Sequence, residues 1–225
     1  MFANINGVRI FYEKTGDGVP LILVHGNGEN HKIFQEAVTV LCHDFTVYAL
    51  DLRGHGRSSS IQEYHYKDMA RDIECFIQTL GIDKPLYYGF SDGGIIGLLL
   101  ASENTDLLSG LLVSGANLSP SGLTLLSRCC IRLLYYVKKD EKVKMMLTEP
   151  DISVQDLGKI VIPTLITAGR WDVIQKRHTK LIADHIRNSK CIILEKETHG
   201  SYIIHTRKIA QIIIDFCKSN NLIKV

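Results

Sequence analysis

Between an apolar strand-like run and an apolar helix-like run, the chain reads Gly89-Phe90-Ser91-Asp92-Gly93. Residues 85–90 have the pattern of a short buried strand, and residues 94–102 that of a helix packed against a sheet. A serine at such a strand-to-helix turn sits on strained backbone with its Oγ held outward. The small residues around it let strand and helix approach closely. The following helix aims free N–H groups and the positive end of its dipole at any negative charge that forms there. Glycine and serine are common, so the five residues alone carry little weight; their flanks supply the rest.

A serine hydroxyl is a poor nucleophile at neutral pH, so the turn requires a base and a group that orients the base. Residues 163–169 read as another buried strand, with Asp172 just past its end. Residues 191–194 read as the next strand, followed a few residues later by His199-Gly200. Nearer the front, the apolar run 21–24 enters His25-Gly26-Asn27-Gly28, where a glycine-rich turn can offer a backbone N–H to an oxyanion. Competing residues fit less well. Asp184, Glu195 and Asp215 fall in helix or strand patterns and read as surface residues. His205 lies within the helix pattern that follows, and His55 in Arg53-Gly54-His55-Gly56 reads as loop-shaping.

The order Ser91, Asp172, His199 is that of the α/β-hydrolases, and the chain resembles that superfamily over essentially its whole length. The resemblance rests on His25-Gly26-Asn27-Gly28, Asp51-Leu52-Arg53-Gly54-His55-Gly56-Arg57-Ser58, Gly89-Phe90-Ser91-Asp92-Gly93-Gly94, Ala168-Gly169-Arg170-Trp171-Asp172 and His199-Gly200, within the small serine esterase-like branch. It implies an α/β-hydrolase fold: a mostly parallel eight-stranded sheet, antiparallel at its first edge, with helices on both faces and a short helical cap. It implies Ser91 as nucleophile, Asp172 as acid and His199 as base, with the backbone N–H groups of Asn27 and Asp92 as the oxyanion hole. Serine rather than aspartate at the nucleophile position disfavours the dehalogenase and epoxide hydrolase chemistries of this fold. The Asp92 side chain is open to two readings, a helix cap or a substrate-facing carboxylate. The turn is similar to that of the valacyclovir-hydrolase-like enzymes, in which the matching aspartate pairs with the α-amino group of amino-acid esters.

The remaining pattern is strand-helix alternation, the signature of a parallel α/β sheet, and it is consistent with a single domain over 1–225. Residues 2–5 and 8–13 bracket Asn6-Gly7, a hairpin signal. Met69, Ile73, Phe76, Ile77 and Leu80 recur at helical spacing before Gly81. Residues 117–159 break the alternation and read as the cap. Leu123, Leu126, Cys130, Leu133, Leu134 and Val137 mark one helical face, while Leu125, Cys129 and Tyr136 make part of the other apolar. A helix apolar on two sides is expected to be covered on two sides. Met145 and Met146 are expected beside the substrate, and Ser153-x-x-Asp156 resembles a capping box.

Composition narrows the partners. The 26 basic and 24 acidic residues give a net charge of +2, no electrostatic case for nucleic acid. No run approaches the length of a membrane span, so no membrane partner is expected. The N-terminus lacks a basic head and apolar core, so no secretory signal is read. The six cysteines show no Cys-x-x-Cys or zinc spacing, and Cys129 and Cys130 are adjacent, so a reduced cytoplasmic protein with no metal and no cofactor is expected. The expected partner is a small-molecule ester, cleaved through an acyl-enzyme. The same residues also serve an amide, lactone, thioester, carbon–carbon or perhydrolysis reaction, or a ligand-binding protein with negligible turnover.

Overall fold

The structure, a computed structural model, describes residues 1–223. Its eight strands are β1 (Phe2–Ile5), β2 (Val8–Thr15), β3 (Val19–Val24), β4 (Phe45–Leu50), β5 (Leu86–Phe90), β6 (Gly110–Ser114), β7 (Thr164–Trp171) and β8 (Ser189–Thr198). They form one sheet in the order β1-β2-β4-β3-β5-β6-β7-β8. The β1–β2 and β2–β4 pairs are antiparallel and every later pair is parallel. β4, β5 and β6 are buried at every position because both sheet faces are covered. In β3, Ile22 and Val24 enter one core layer while Leu21 and Leu23 enter the other, as the two-residue period of a strand dictates.

The two layers are closed by different helices. Residues of α2 (Tyr66–Thr79), α3 (Asp92–Glu103) and α7 (Lys176–Asp184) enter the first core. Residues of α1 (Gln35–Leu41) and α8 (Lys208–Ser219) enter the second. All but the last residue of α3 are buried, which explains why its sequence is apolar all round. Ile95, Ile96, Leu98 and Leu100 are each at most 2 % exposed, and burying such a side chain contributes roughly 1.5–3 kcal/mol.

Strand order changes direction at the middle of the sheet. From β3 the chain moves to β4 on one side and then to β5 on the other. Such a switch point leaves a crevice beyond the carboxyl ends of the diverging strands. The loops after β3 and β5, carrying His25–Gly28 and Ser91, meet there.

Between β6 and β7 the chain leaves the sheet for a 3₁₀ turn at Pro120–Gly122, then α4 (Leu125–Lys138), α5 (Glu141–Thr148) and α6 (Val154–Leu157). Thr124 caps α4 by accepting from Ser127 N at 3.3 Å. Ser153 caps α6 by accepting from Asp156 N at 3.1 Å, as the box pattern predicts. One expectation fails. No residue of α4 is buried, with Leu125 73 %, Leu126 75 %, Leu133 65 % and Val137 70 % exposed. Leu123, expected on the same helical face, lies outside α4 and is buried in an isolated bridge to Ile174. The cap contributes too few neighbouring elements to cover both sides of α4, so the outer side faces solvent.

Candidate active site

Ser91 occupies the single residue between β5 and α3, at φ 53° and ψ −113°. A non-glycine residue in that region costs on the order of 1–3 kcal/mol. Hydrogen bonds fix it there: Ser91 N donates to Ser114 O at 2.8 Å, and Gly93 N donates to His25 O at 3.1 Å. Gly93 is required by close approach, because a Cβ there would lie 2.2 Å from Val24 O.

His199 and Asp172 reach the same point from the far side of the sheet. β7 ends at Trp171 and β8 at Thr198, so Asp172 and His199 are each the first residue past a strand, as Ser91 is. Both strands run further than their apolar cores predict: Trp171 pairs with Thr198 beyond a bulge at Gly169–Trp171, although residues 195–198 are polar. Edge-strand pairing is made by backbone groups, and side-chain hydropathy does not report it. His199 Nε2 lies 3.1 Å from Ser91 Oγ, and His199 Nδ1 lies 2.7 Å from Asp172 Oδ1. Asp172 also accepts from Gly169 N at 3.2 Å and Ile174 N at 3.0 Å, which sets its carboxylate plane. Gly115, at φ 63°, leaves room for the ring, since a Cβ there would meet His199 Nδ1 at 2.8 Å. Asp172 is acceptor-only when ionised, so Nδ1 carries the proton and Nε2 is free to accept from Ser91.

The turn after β3 faces this triplet. Its shape is set by His25, fully buried, whose Nδ1–H donates to Gly26 O at 2.7 Å and whose Nε2 accepts from Leu52 N at 3.0 Å. Burial and the neighbouring His55 ring lower the His25 pKa to about 3, so it is a neutral structural group. Among the described residues, the backbone N–H groups of Asn27 and Asp92 donate no hydrogen bond. His55 is also buried, donating from Nδ1 to Arg53 O at 2.9 Å, away from the triplet. Asp184, Glu195 and Asp215 are exposed and do not line the crevice. His205, expected inside the last helix, instead sits at φ 51° in the turn before α8, donating its N–H to Ile33 O at 2.9 Å.

Ser91 and His199 open into a cavity of about 440 Å³. Its apolar wall comes from Leu123, Leu126, Ile131, Met146, Val173 and Ile174. Met145, expected beside Met146 at the substrate, is 2 % exposed and belongs to the core beneath α5. Neighbours on a helix point about 100° apart, so only one of the pair can face the cavity.

A family model described as alpha/beta hydrolase fold matches residues 19–128. The chain superposes on an enol-lactonase from Burkholderia xenovorans with a TM-score of 0.82 at 18 % identity, over 97 % of this chain and 100 % of that one. The chain has the α/β-hydrolase fold. Among curated relatives, the chain is 35 % identical over 112 residues to a soluble epoxide hydrolase from a Corynebacterium species, covering 49 % of this chain and 39 % of that protein. It is 32 % identical over 106 residues to a pimeloyl-[acyl-carrier protein] methyl ester esterase from Vibrio atlanticus, covering 46 % and 38 %. The matched segments thus span about two fifths of these relatives.

Within this fold, the Asp92 side chain neither caps α3 nor stands free for a substrate. Its Oδ1 accepts from Tyr66 OH at 2.8 Å and its Oδ2 from Asn27 Nδ2 at 2.9 Å. Asn27 Nδ2 also donates to Lys142 O at 3.2 Å, so Asp92 links the β3 turn, α2 and α5. Tyr66 lies 26 residues from Asp92, which no local pattern reveals. Glu29 was missed as well: it lines the cavity and accepts from Gly26 N at 3.1 Å, and burial pushes its carboxyl up. An acidic residue three positions after a glycine turn is the signal that could have found it.

Burial raises the Asp92 pKa to about 6, opposed by its hydrogen bonds from Asn27 and Tyr66. Between its ordinary value of 3.8 and about 6 the folded state therefore binds more protons than the unfolded chain. Stability from this group falls as pH rises through that window, by up to about 3 kcal/mol. Asp92→Asn removes the ionisation. The melting temperature of the variant relative to wild type is expected to climb by several degrees between pH 4 and about 6.5, then level off. A difference that stays flat across that range would show that Asp92 does not titrate there.

Proposed function

We propose that the chain is a serine hydrolase that cleaves small carboxylic esters through an acyl-enzyme intermediate. The observation that carries this reading is the hydrogen-bonded series Ser91 Oγ, His199 Nε2, His199 Nδ1, Asp172 Oδ1, at 3.1 and 2.7 Å. As Ser91 Oγ attacks the acyl carbon, His199 Nε2 takes its proton, and Asp172 stabilises the imidazolium. The carbonyl oxygen becomes an oxyanion that the N–H groups of Asn27 and Asp92 receive, at the positive end of α3. One such donor contributes about 3–4 kcal/mol. His199 then returns the proton to the leaving alcohol, whose departure leaves the acyl-serine. Water activated by the same imidazole hydrolyses it. The relatives' names, an epoxide hydrolase, a methyl ester esterase and a lactonase, are consistent with hydrolysis at this site. The carboxylic ester is favoured because Ser91 is an alcohol that forms and releases an ester. Free cysteines throughout fit a reducing, cytoplasmic setting.

Acyl size provides the test. Each methylene buried in the cavity contributes about 0.8 kcal/mol, a few-fold in kcat/KM, and the gain stops when the wall ends. Over a series of p-nitrophenyl esters, kcat/KM is expected to be greatest from acetate to butyrate and to fall for long chains. Preference for long-chain emulsified esters would contradict an acyl site of this size. Absence of turnover on the whole series, with no fluorophosphonate labelling, would remove the hydrolase reading.

A further inference from the structure

The outer face of α4 is apolar and uncovered among the described residues. Leu125, Cys129, Leu133 and Tyr136 form one ridge, and Leu126, Cys130, Leu134 and Val137 the ridge beside it. Together they cover about half the helix circumference, and all eight are exposed. Ser127, Arg128, Ile131 and Tyr135, on the opposite side, are the partly covered ones. A contiguous apolar face of this kind marks an interaction surface. Leu126 and Cys130 belong both to this face and to the cavity wall, so the face is continuous with the cavity mouth.

Charge selects the partner. The helix carries Arg128, Arg132 and Lys138 and no acidic residue. Among the described residues, none of the three makes an ion pair. Arg132 borders the apolar face on one side and Lys138 on the other. Lys139 follows as the C-cap. An antiparallel pairing of two α4 helices would oppose these cations with no anion to compensate. A bilayer with anionic headgroups meets both halves of the pattern, taking up the apolar side chains while its phosphates receive the border cations. The solitary Trp171, 71 % exposed, stands at the end of β7, two residues before the Val173 carbonyl that accepts from Thr124 N at 2.8 Å. An amphipathic indole beside the root of α4 suits the headgroup region. No helix among the described residues is long and apolar enough to cross a membrane, but a helix lying in the interface needs no span. The expectation of no membrane partner rested on span length and does not address this geometry.

We propose that the outer face of α4 docks on anionic lipid bilayers, with Leu125, Leu133 and Val137 entering the interface and Arg132 and Lys138 on the phosphates. Under reducing conditions, vesicles of phosphatidylcholine with phosphatidylglycerol are expected to co-sediment the protein and shift Trp171 emission to shorter wavelength. Pure phosphatidylcholine vesicles should bind at least about tenfold more weakly. The Leu125→Gln/Leu133→Gln/Val137→Gln variant should lose binding, with circular dichroism and melting temperature unchanged. The Arg132→Gln/Lys138→Gln variant leaves the apolar face intact and should lose about thirtyfold, about 1 kcal/mol per cation. It decides the matter if the triple variant does not fold. Absence of binding to anionic vesicles, equal binding to neutral ones, or full retention by the charge variant would overturn the proposal. So would a concentration-dependent dimer in sedimentation equilibrium that the triple variant dissolves, which would give this face to a second copy of the chain.

Discussion

Ser91→Ala is expected to lower kcat/KM for a short p-nitrophenyl ester by about 10⁵-fold or more and to abolish fluorophosphonate labelling. The size of the effect follows from the geometry. Among the described residues, Ser91 Oγ is the hydroxyl within hydrogen-bond reach of His199 Nε2, at 3.1 Å. Without it, the oxyanion donors and the cavity can still orient an ester, but no acyl-enzyme forms. The fold should survive. The backbone bonds that hold residue 91 at positive φ involve its N–H and carbonyl, which alanine keeps. The melting temperature is therefore expected to stay within a few degrees of wild type. Labelling that persists at another serine would move the nucleophile and withdraw the assignment.

What could be read in the chain beforehand divides along a physical line. The turn at Ser91 was legible because its constraints are local: a strand that ends, a helix that begins, and glycines where atoms must approach. The two core layers were legible for the same reason, since Leu21, Ile22, Leu23 and Val24 report burial on both faces through composition alone. The carboxyl ends of β7 and β8 were less so. Their last residues are paired by backbone groups at a solvated edge, where hydropathy is silent.

The misreadings share another cause. Asp92 sits near a helix N-terminus, where an acidic residue ordinarily caps, yet Tyr66 and Asn27 claim both of its oxygens from distant parts of the sequence. Only tertiary structure brings those donors near. For α4, the apolar pattern correctly reported a helix that wants cover on two sides. A sequence pattern states that demand without saying whether the chain meets it, and here the cap supplies neighbours for one side.

Asp172→Asn is expected to lower kcat by about 10³–10⁴-fold while leaving the fold in place. In one orientation the asparagine amide oxygen keeps the bond from Gly169 N, now made by Asp172 Oδ2 at 3.2 Å, and the bond from Ile174 N to Oδ1 is given up. Its Nδ2 then faces His199 Nδ1, where a carboxylate oxygen stood at 2.7 Å. A donor there forces Nδ1 to accept, which moves the ring proton to Nε2. The nitrogen beside Ser91 Oγ is then an N–H and cannot take the serine proton. The imidazolium that forms during attack also loses the adjacent negative charge. Both losses act on the chemical step and not on ester binding, so kcat should fall with KM little changed. Fluorophosphonate labelling should slow by a similar factor without vanishing, because Ser91 is still present. Turnover near the wild-type value would assign the orienting role to another carboxylate, Glu29 being one that lines the cavity.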